Sequence, residues 1–125
     1  MKTAITIALF SAAGGLTRYY FSGWVYSHLG RAFPYGTFAV NIIGAYFIGL
    51  IMELGLNSSV ISDTMRIGLT VGLMGGLTTF STFSYETFRL LEDGQFFVAF
   101  TNILASVAAC LLLTWLGIVT VRTLT

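Results

Sequence analysis

Four runs of apolar residues, separated by short polar stretches, set the pattern of this 125-residue chain. A helix of about 20 mostly apolar residues is long enough to cross a bilayer. The runs fall at about 4–26, 35–52, 64–90 and 96–121, and each predicts one such helix. The stretches around their ends, SHLGRAFP, ELGLNSSVISDT and RLLEDGQ, carry turn and cap residues. Pro34 suits the start of the second helix. Ser62 or Asp63 suits the cap of the third, and Asp93-Gly94 is a turn signal. The third run holds an anomaly, GGLTTFSTFS from Gly75 to Ser84. Two adjacent glycines followed by Leu-Thr-Thr weaken a helix, so a break is predicted near 75–79. Irregular backbone persists at membrane depth only where it is buried in protein or lines a cavity. The expected fold is an all-α membrane protein, one domain over 1–125, with four transmembrane helices and the third broken mid-membrane.

Composition supports the membrane class. The chain is 56% hydrophobic and 9% charged, against roughly 25% charged residues in soluble domains. Its mean hydropathy is +0.87. A net charge of +1 excludes nucleic acid as a partner on electrostatic grounds. No dinucleotide or P-loop spacing exists, and nothing points to an enzyme. The single cysteine, Cys110, permits no internal disulfide and reads as a small packing residue. One histidine and one cysteine in different segments make no metal site. The opening MKTAITIALFSAAGG has the outline of a signal peptide, but apolar character resumes after Arg18 as YYFSGWVY, which favours a first span.

Charge placement adds a topological possibility. Four spans put both termini on one side, with Lys2, Arg66 and Arg122 there and Arg31 and Arg89 on the other. Three against two is a weak orientation bias. It is compatible with one fixed orientation or with insertion both ways, which would allow an antiparallel dimer about a two-fold axis. No internal repeat is visible, so any transporter symmetry would come from two chains.

Several positions carry candidate chemistry. In the fourth span Asn102, Ser106, Cys110 and Thr114 recur at spacing four, a polar track on one helix face. Such a track is either a helix-packing seam or the wall of a permeation path. In the second span Asn41, Ala45 and Gly49 share a face. Asn41 there staples two helices or donates to a passing anion, and the residues alone favour the staple. Gly68, Gly72 and Gly76 form a doubled GxxxG face, suited to close helix contact within the chain or in a dimer. Arg18 either snorkels outward or gives an aqueous vestibule positive potential. Glu86 is a proton-coupling, pore-lining or interfacial carboxylate. Phe80 and Phe83, at i and i+3, suit core packing or lipid contact. Their electropositive ring edges could also solvate a small anion weakly enough to release it.

Three motifs, GGLTRYY (Gly14–Tyr20), GTFAVNIIGAYFIG (Gly36–Gly49) and GGLTTFSTFSYE (Gly75–Glu86), give the chain a resemblance along its whole length. It resembles the Fluc/CrcB family of fluoride channels. The resemblance implies a passive, fluoride-selective channel that exports fluoride across the cytoplasmic (inner) membrane. It also implies an antiparallel dual-topology homodimer with two pores in the lipid bilayer. It implies a structural sodium ion at the dimer interface, held by the backbone carbonyls of Gly75 and Thr78. It places Asn41, Phe80, Phe83 and Ser106 on the fluoride pore and Arg18 in the vestibule. Ser81, Thr82, Thr114 and Glu86 match a polar track along the exit path. Cys110 and Asn102 receive no ion contact.

Two other classes compete. A proton-coupled exporter of the small multidrug resistance type also has four short helices and an antiparallel dimer, but needs an acid in its first span. Here that span has Arg18 and no acid. A non-transporting membrane scaffold would bear the cost of many buried polar groups without the gain of transport.

Overall fold

The computed structural model describes all residues, 1–125, and every regular element in it is helical. Helix α1 is Lys2–Leu29 and α2 is Tyr35–Asn57. Helix α3, residues 63–77, has three parts: an α-turn at Asp63–Ile67, a π-helical stretch at Gly68–Met74 and a last α-turn at Gly75–Leu77. Thr78 and Thr79 are extended, with φ/ψ of −124/127° and −136/107°. The chain then re-enters a helix as α4, Phe80–Glu92, and ends in α5, Phe96–Leu124.

The ends follow from local chemistry. Ser62 Oγ accepts the Met65 amide at 3.1 Å and starts α3. Thr79 Oγ1 accepts the Thr82 amide at 3.1 Å and starts α4. Gly30 and Gly94 stop α1 and turn α4 into α5 at φ 79° and 77°, a region open to glycine at little cost. Helix α2 runs on past Met52, so Glu53 belongs to the helix and not to the following loop. The reason is a partner set: Glu53 Oε1 accepts Arg122 Nε at 2.7 Å and Asn57 Nδ2 at 2.6 Å.

Three stretches are long and apolar enough to cross a membrane: Tyr35–Asn57, Asp63–Glu92 and Phe96–Leu124. Helix α1 has comparable length, 28 residues, but Arg18 and its polar neighbours dilute its apolar character.

Two glycine seams hold the helices together. Gly68, Gly72 and Gly76 all face α1, where a Cβ on Gly76 would stand 2.6 Å from the Ser11 carbonyl oxygen and one on Gly72 2.7 Å from Phe10 Cβ. Gly14 of α1 meets the backbone at Leu73 and Leu77 in return. The doubled GxxxG face is therefore used inside the chain. Helices α2 and α5 form the second seam, with Gly49 against the Thr114 backbone and Gly117 against that of Tyr46. Between the seams lies a small core of Val40, Ile51, Met74 and Leu77. Only 21 of 125 residues are buried, and Phe97, Leu104, Leu111 and Trp115 of α5 are all exposed. A chain with so much apolar surface needs cover from lipid or from protein.

Candidate ion pathway

The site grows from the extended pair Thr78–Thr79. In a continuous helix the Thr79 amide would bond the Gly75 carbonyl and the Thr82 amide the Thr78 carbonyl. Side chains intercept both. Asn41 Oδ1 of α2 takes the Thr79 amide at 2.7 Å. Thr79 Oγ1 takes the Thr82 amide. The same Asn41 returns a long bond from Nδ2 to the Thr79 carbonyl at 3.4 Å. The Gly75 and Thr78 carbonyls thus lose their usual i+4 donors. Asn41 is the staple that its position on α2 suggested, and its second amide hydrogen is left without a protein acceptor.

Beside this break lies a cavity of about 540 Å³ between α2, α3, α4 and α5. It gathers most of the residues singled out in the sequence: Asn41, Gly75, Thr78, Phe80, Phe83, Ser106 and Thr114, with Cys110 among them. The Phe80 and Phe83 rings stand 5.4 Å apart between centroids, inclined by 40°. Phe80 is 77% exposed in the single chain, so it has little core-packing role there. A Cβ on Gly75 would meet nothing nearer than the Thr70 carbonyl at 3.7 Å, so a methyl group fits there within the chain.

The polar track on α5 divides. Its upper members serve as a helix seam: Asn102, 1% exposed, donates to Thr87 Oγ1 of α4 at 2.8 Å. Ser106 Oγ then donates to Asn102 Oδ1 at 3.1 Å while lining the cavity. Thr114 Oγ1 donates to the Ala45 carbonyl of α2 at 3.0 Å and also lines the cavity. Ser106 and Thr114 thus serve both seam and cavity wall, whereas Asn102 serves the seam alone.

Four predicted positions lie outside the cavity. Ser81 and Thr82 bond to Thr79 Oγ1 at 3.2 and 3.0 Å at the start of α4. Arg18 Nε donates to the Gly76 carbonyl at 3.0 Å, so its guanidinium is tied to the end of α3. Glu86 lines a second, smaller groove of about 180 Å³, together with Tyr26, Arg31 and Arg89. One Glu86 oxygen accepts the Tyr26 hydroxyl at 2.7 Å and the other accepts the Thr37 hydroxyl.

Sequence reasoning missed Tyr26, Thr37 and Thr87 as partners. A signal existed for Thr37, which precedes Asn41 and Ala45 at the same spacing of four. Thr87 likewise follows Phe83 by four. Tyr26 had none, since it is one of several aromatics near the end of α1.

Long apolar helices, three of them able to cross a membrane, beside a cavity lined by hydroxyls, a carboxamide and two aromatic rings define a multi-pass membrane protein. Residues 5–118 match the family described as CrcB-like protein, Camphor Resistance (CrcB). A protein of Trichlorobacter lovleyi named fluoride-specific ion channel FluC is 81% identical over 124 residues, covering 99% of each chain. Namesakes from Pelobacter propionicus and Geotalea uraniireducens are 72% and 64% identical, each over 99% of this chain and covering 96% and 100% of their own lengths. The chain belongs to the Fluc/CrcB family.

Proposed function

We propose that the chain is a passive fluoride-selective channel of a bacterial cytoplasmic membrane, not an enzyme, and that it protects the cell by letting fluoride out. Family membership supports this strongly: relatives up to 81% identical over the full length bear the name of a fluoride-specific channel. The observation in the structure that carries it is the make-up of the cavity wall. Fluoride is small and strongly hydrated, so a path must replace its water with donors. Around the cavity these are the spare Asn41 amide hydrogen, the Ser106 and Thr114 hydroxyls, and the ring edges of Phe80 and Phe83. Both hydroxyls already have protein acceptors, Asn102 Oδ1 and the Ala45 carbonyl. Each hydroxyl has one hydrogen, which would turn from its protein acceptor to the ion and return when the ion leaves, and weak, releasable binding is what conduction requires.

The functional unit in this proposal is an antiparallel, dual-topology homodimer with four spans per chain, α1 being the first, and with two pores. Its support is the exposed apolar surface and the balanced charge pattern. The third span in this proposal is the whole of 63–92, interrupted at Thr78–Thr79. A sodium ion fits the chemistry there. Alkali cations take oxygen ligands, and carbonyls at unwound helix segments supply them. The Gly75 and Thr78 carbonyls would hold it, with the same pair from a second copy. The ion would supply positive charge near the anion path and join the two chains. Arg18, bonded to the Gly76 carbonyl, would add positive potential one residue from that ligand set. Ser81 and Thr82 would continue the polar route beyond the rings, past the strip of α4 that carries Glu86.

The test is fluoride efflux from proteoliposomes, followed with a fluoride electrode. Fast, electrogenic fluoride release with little chloride release is the expected result. No release from folded, reconstituted protein would overturn the channel, and release only against a proton gradient would make the protein an exchanger.

A further inference from the structure

Glu86 presents a problem for an anion path. Phe83, Glu86 and Leu90 lie at i, i+3 and i+7 on α4, so they share one strip of the helix. Phe83 lines the large cavity, whereas Glu86 and Leu90 line the smaller groove. An anion moving from one to the other along that strip passes a carboxylate. Its charge would oppose fluoride unless it were held aside.

The structure shows what holds it. The Tyr26 hydroxyl donates to Oε2 at 2.7 Å and the Thr37 hydroxyl donates to Oε1. Both acceptor atoms are thereby drawn toward α1 and α2. Thr37 is 5% exposed, and its amide reaches the Tyr26 oxygen at 3.4 Å, so the two hydroxyls are themselves fixed. The Tyr26 ring is clamped as well. One edge lies against Gly36, where any side chain would collide with it. Its face carries the Arg31 guanidinium, 4.2 Å from the ring centre. The nearby arginines do not pair with Glu86: Arg89 bonds Glu92 at 3.3 Å, and Arg31 stays on the ring.

We propose that Tyr26 and Thr37 are positioning residues for conduction, which hold the Glu86 carboxylate against α1 and α2 and keep its charge out of the anion route. The inference rests on the channel reading above. Removing either hydroxyl frees the carboxylate to swing over the α4 strip, where it repels fluoride. A unit charge that moves from about 10 Å to about 5 Å from the route, at an effective dielectric of about 20, slows an anion by about tenfold.

The experiment is fluoride efflux from proteoliposomes for the full chain and for Tyr26→Phe, Thr37→Val, Glu86→Gln and the two double variants with Glu86→Gln. Elution volume in detergent checks assembly of each. Tyr26→Phe and Thr37→Val should each slow efflux about tenfold with Glu86 present, and by less than about twofold on the Glu86→Gln background. A hydroxyl needed only for helix packing would cost the same on both backgrounds, and that result overturns the proposal. Normal flux in both single variants overturns it too. If one variant does not assemble, the other carries the comparison. Absence of fluoride flux from the unaltered protein is a different failure, that of the channel reading itself.

Discussion

Replacing Asn41 by leucine should both destabilise the protein and stop fluoride. The side chain is partly buried between α2 and the Thr78–Thr79 break. Its Oδ1 is the acceptor for the Thr79 amide at 2.7 Å, while its Nδ2 makes only a long contact at 3.4 Å. Leucine has nearly the same size and no acceptor. The stability cost is therefore that of stranding one backbone donor, about 1–3 kcal/mol, with little added for the long contact. A cost of about 2 kcal/mol lowers the folding constant about thirtyfold. Asn41→Asp keeps the acceptor in place and should cost less stability. It removes the spare amide hydrogen and adds negative charge, so its fluoride flux should fall as steeply as that of the leucine variant. Two measurements decide: reversible unfolding in mixed micelles for stability, and electrode-recorded efflux for conduction. If Asn41→Leu unfolds and conducts like the parent, Asn41 neither shapes the break nor serves the path. If Asn41→Asp conducts normally, the amide hydrogen has no part in binding the ion.

Phe80→Ile and Phe83→Ile should each lower fluoride efflux by at least about tenfold, while size-exclusion elution stays unchanged; normal efflux from both would refute the ring-edge role. Gly117→Ala should destabilise by about 1–3 kcal/mol, because the new methyl collides with the Tyr46 backbone across the α2–α5 seam. Gly75→Ala has room within its own chain. In the same unfolding assay it should leave the chain near parental stability, and if the proposed dimer packs at Gly75 it should also shift the elution volume. Thr78→Ser keeps the backbone carbonyl and the hydroxyl bond to Met74, so under the proposed sodium site it should leave efflux and its response to sodium at the parental level. A changed response to sodium would refute a backbone-only ligand at this position.

The helical class was plain in the sequence, because a bilayer imposes length and polarity on every crossing segment. Ser62 as a cap and Gly94 in a turn were legible for local reasons. The weakness after Gly75–Gly76 was legible too, but not the agent of the interruption. Asn41 is 38 residues from Thr79, and spacing within one segment says nothing about the segment opposite. The π-helical stretch at Gly68–Met74 gave no sign, since its residues would serve an α-helix as well. The α5 track was visible as a face, whereas its division between Thr87, Ala45 and the cavity depended on which helices stand beside it. The Tyr26–Glu86–Thr37 cluster joins three helices, and Glu53 with Arg122 joins two, so both became visible only on assembly. Placing Glu53 in a loop was the ordinary assignment for an acid at the edge of an apolar run. A guanidinium 69 residues away moves it inside.

The staple between Asn41 and Thr79 has a consequence for biogenesis. Before α3 meets α2, the third span faces lipid with no carboxamide at hand, and a bare amide at that depth is expensive. The newly inserted segment must then satisfy Thr79 from its own backbone, by continuing as a helix to the Gly75 carbonyl. On this argument the interruption would arise only when the finished helices dock, and the carbonyl oxygens that it frees would stay hydrogen-bonded in the nascent chain. The proposed cation site would then be absent at insertion and form only on maturation.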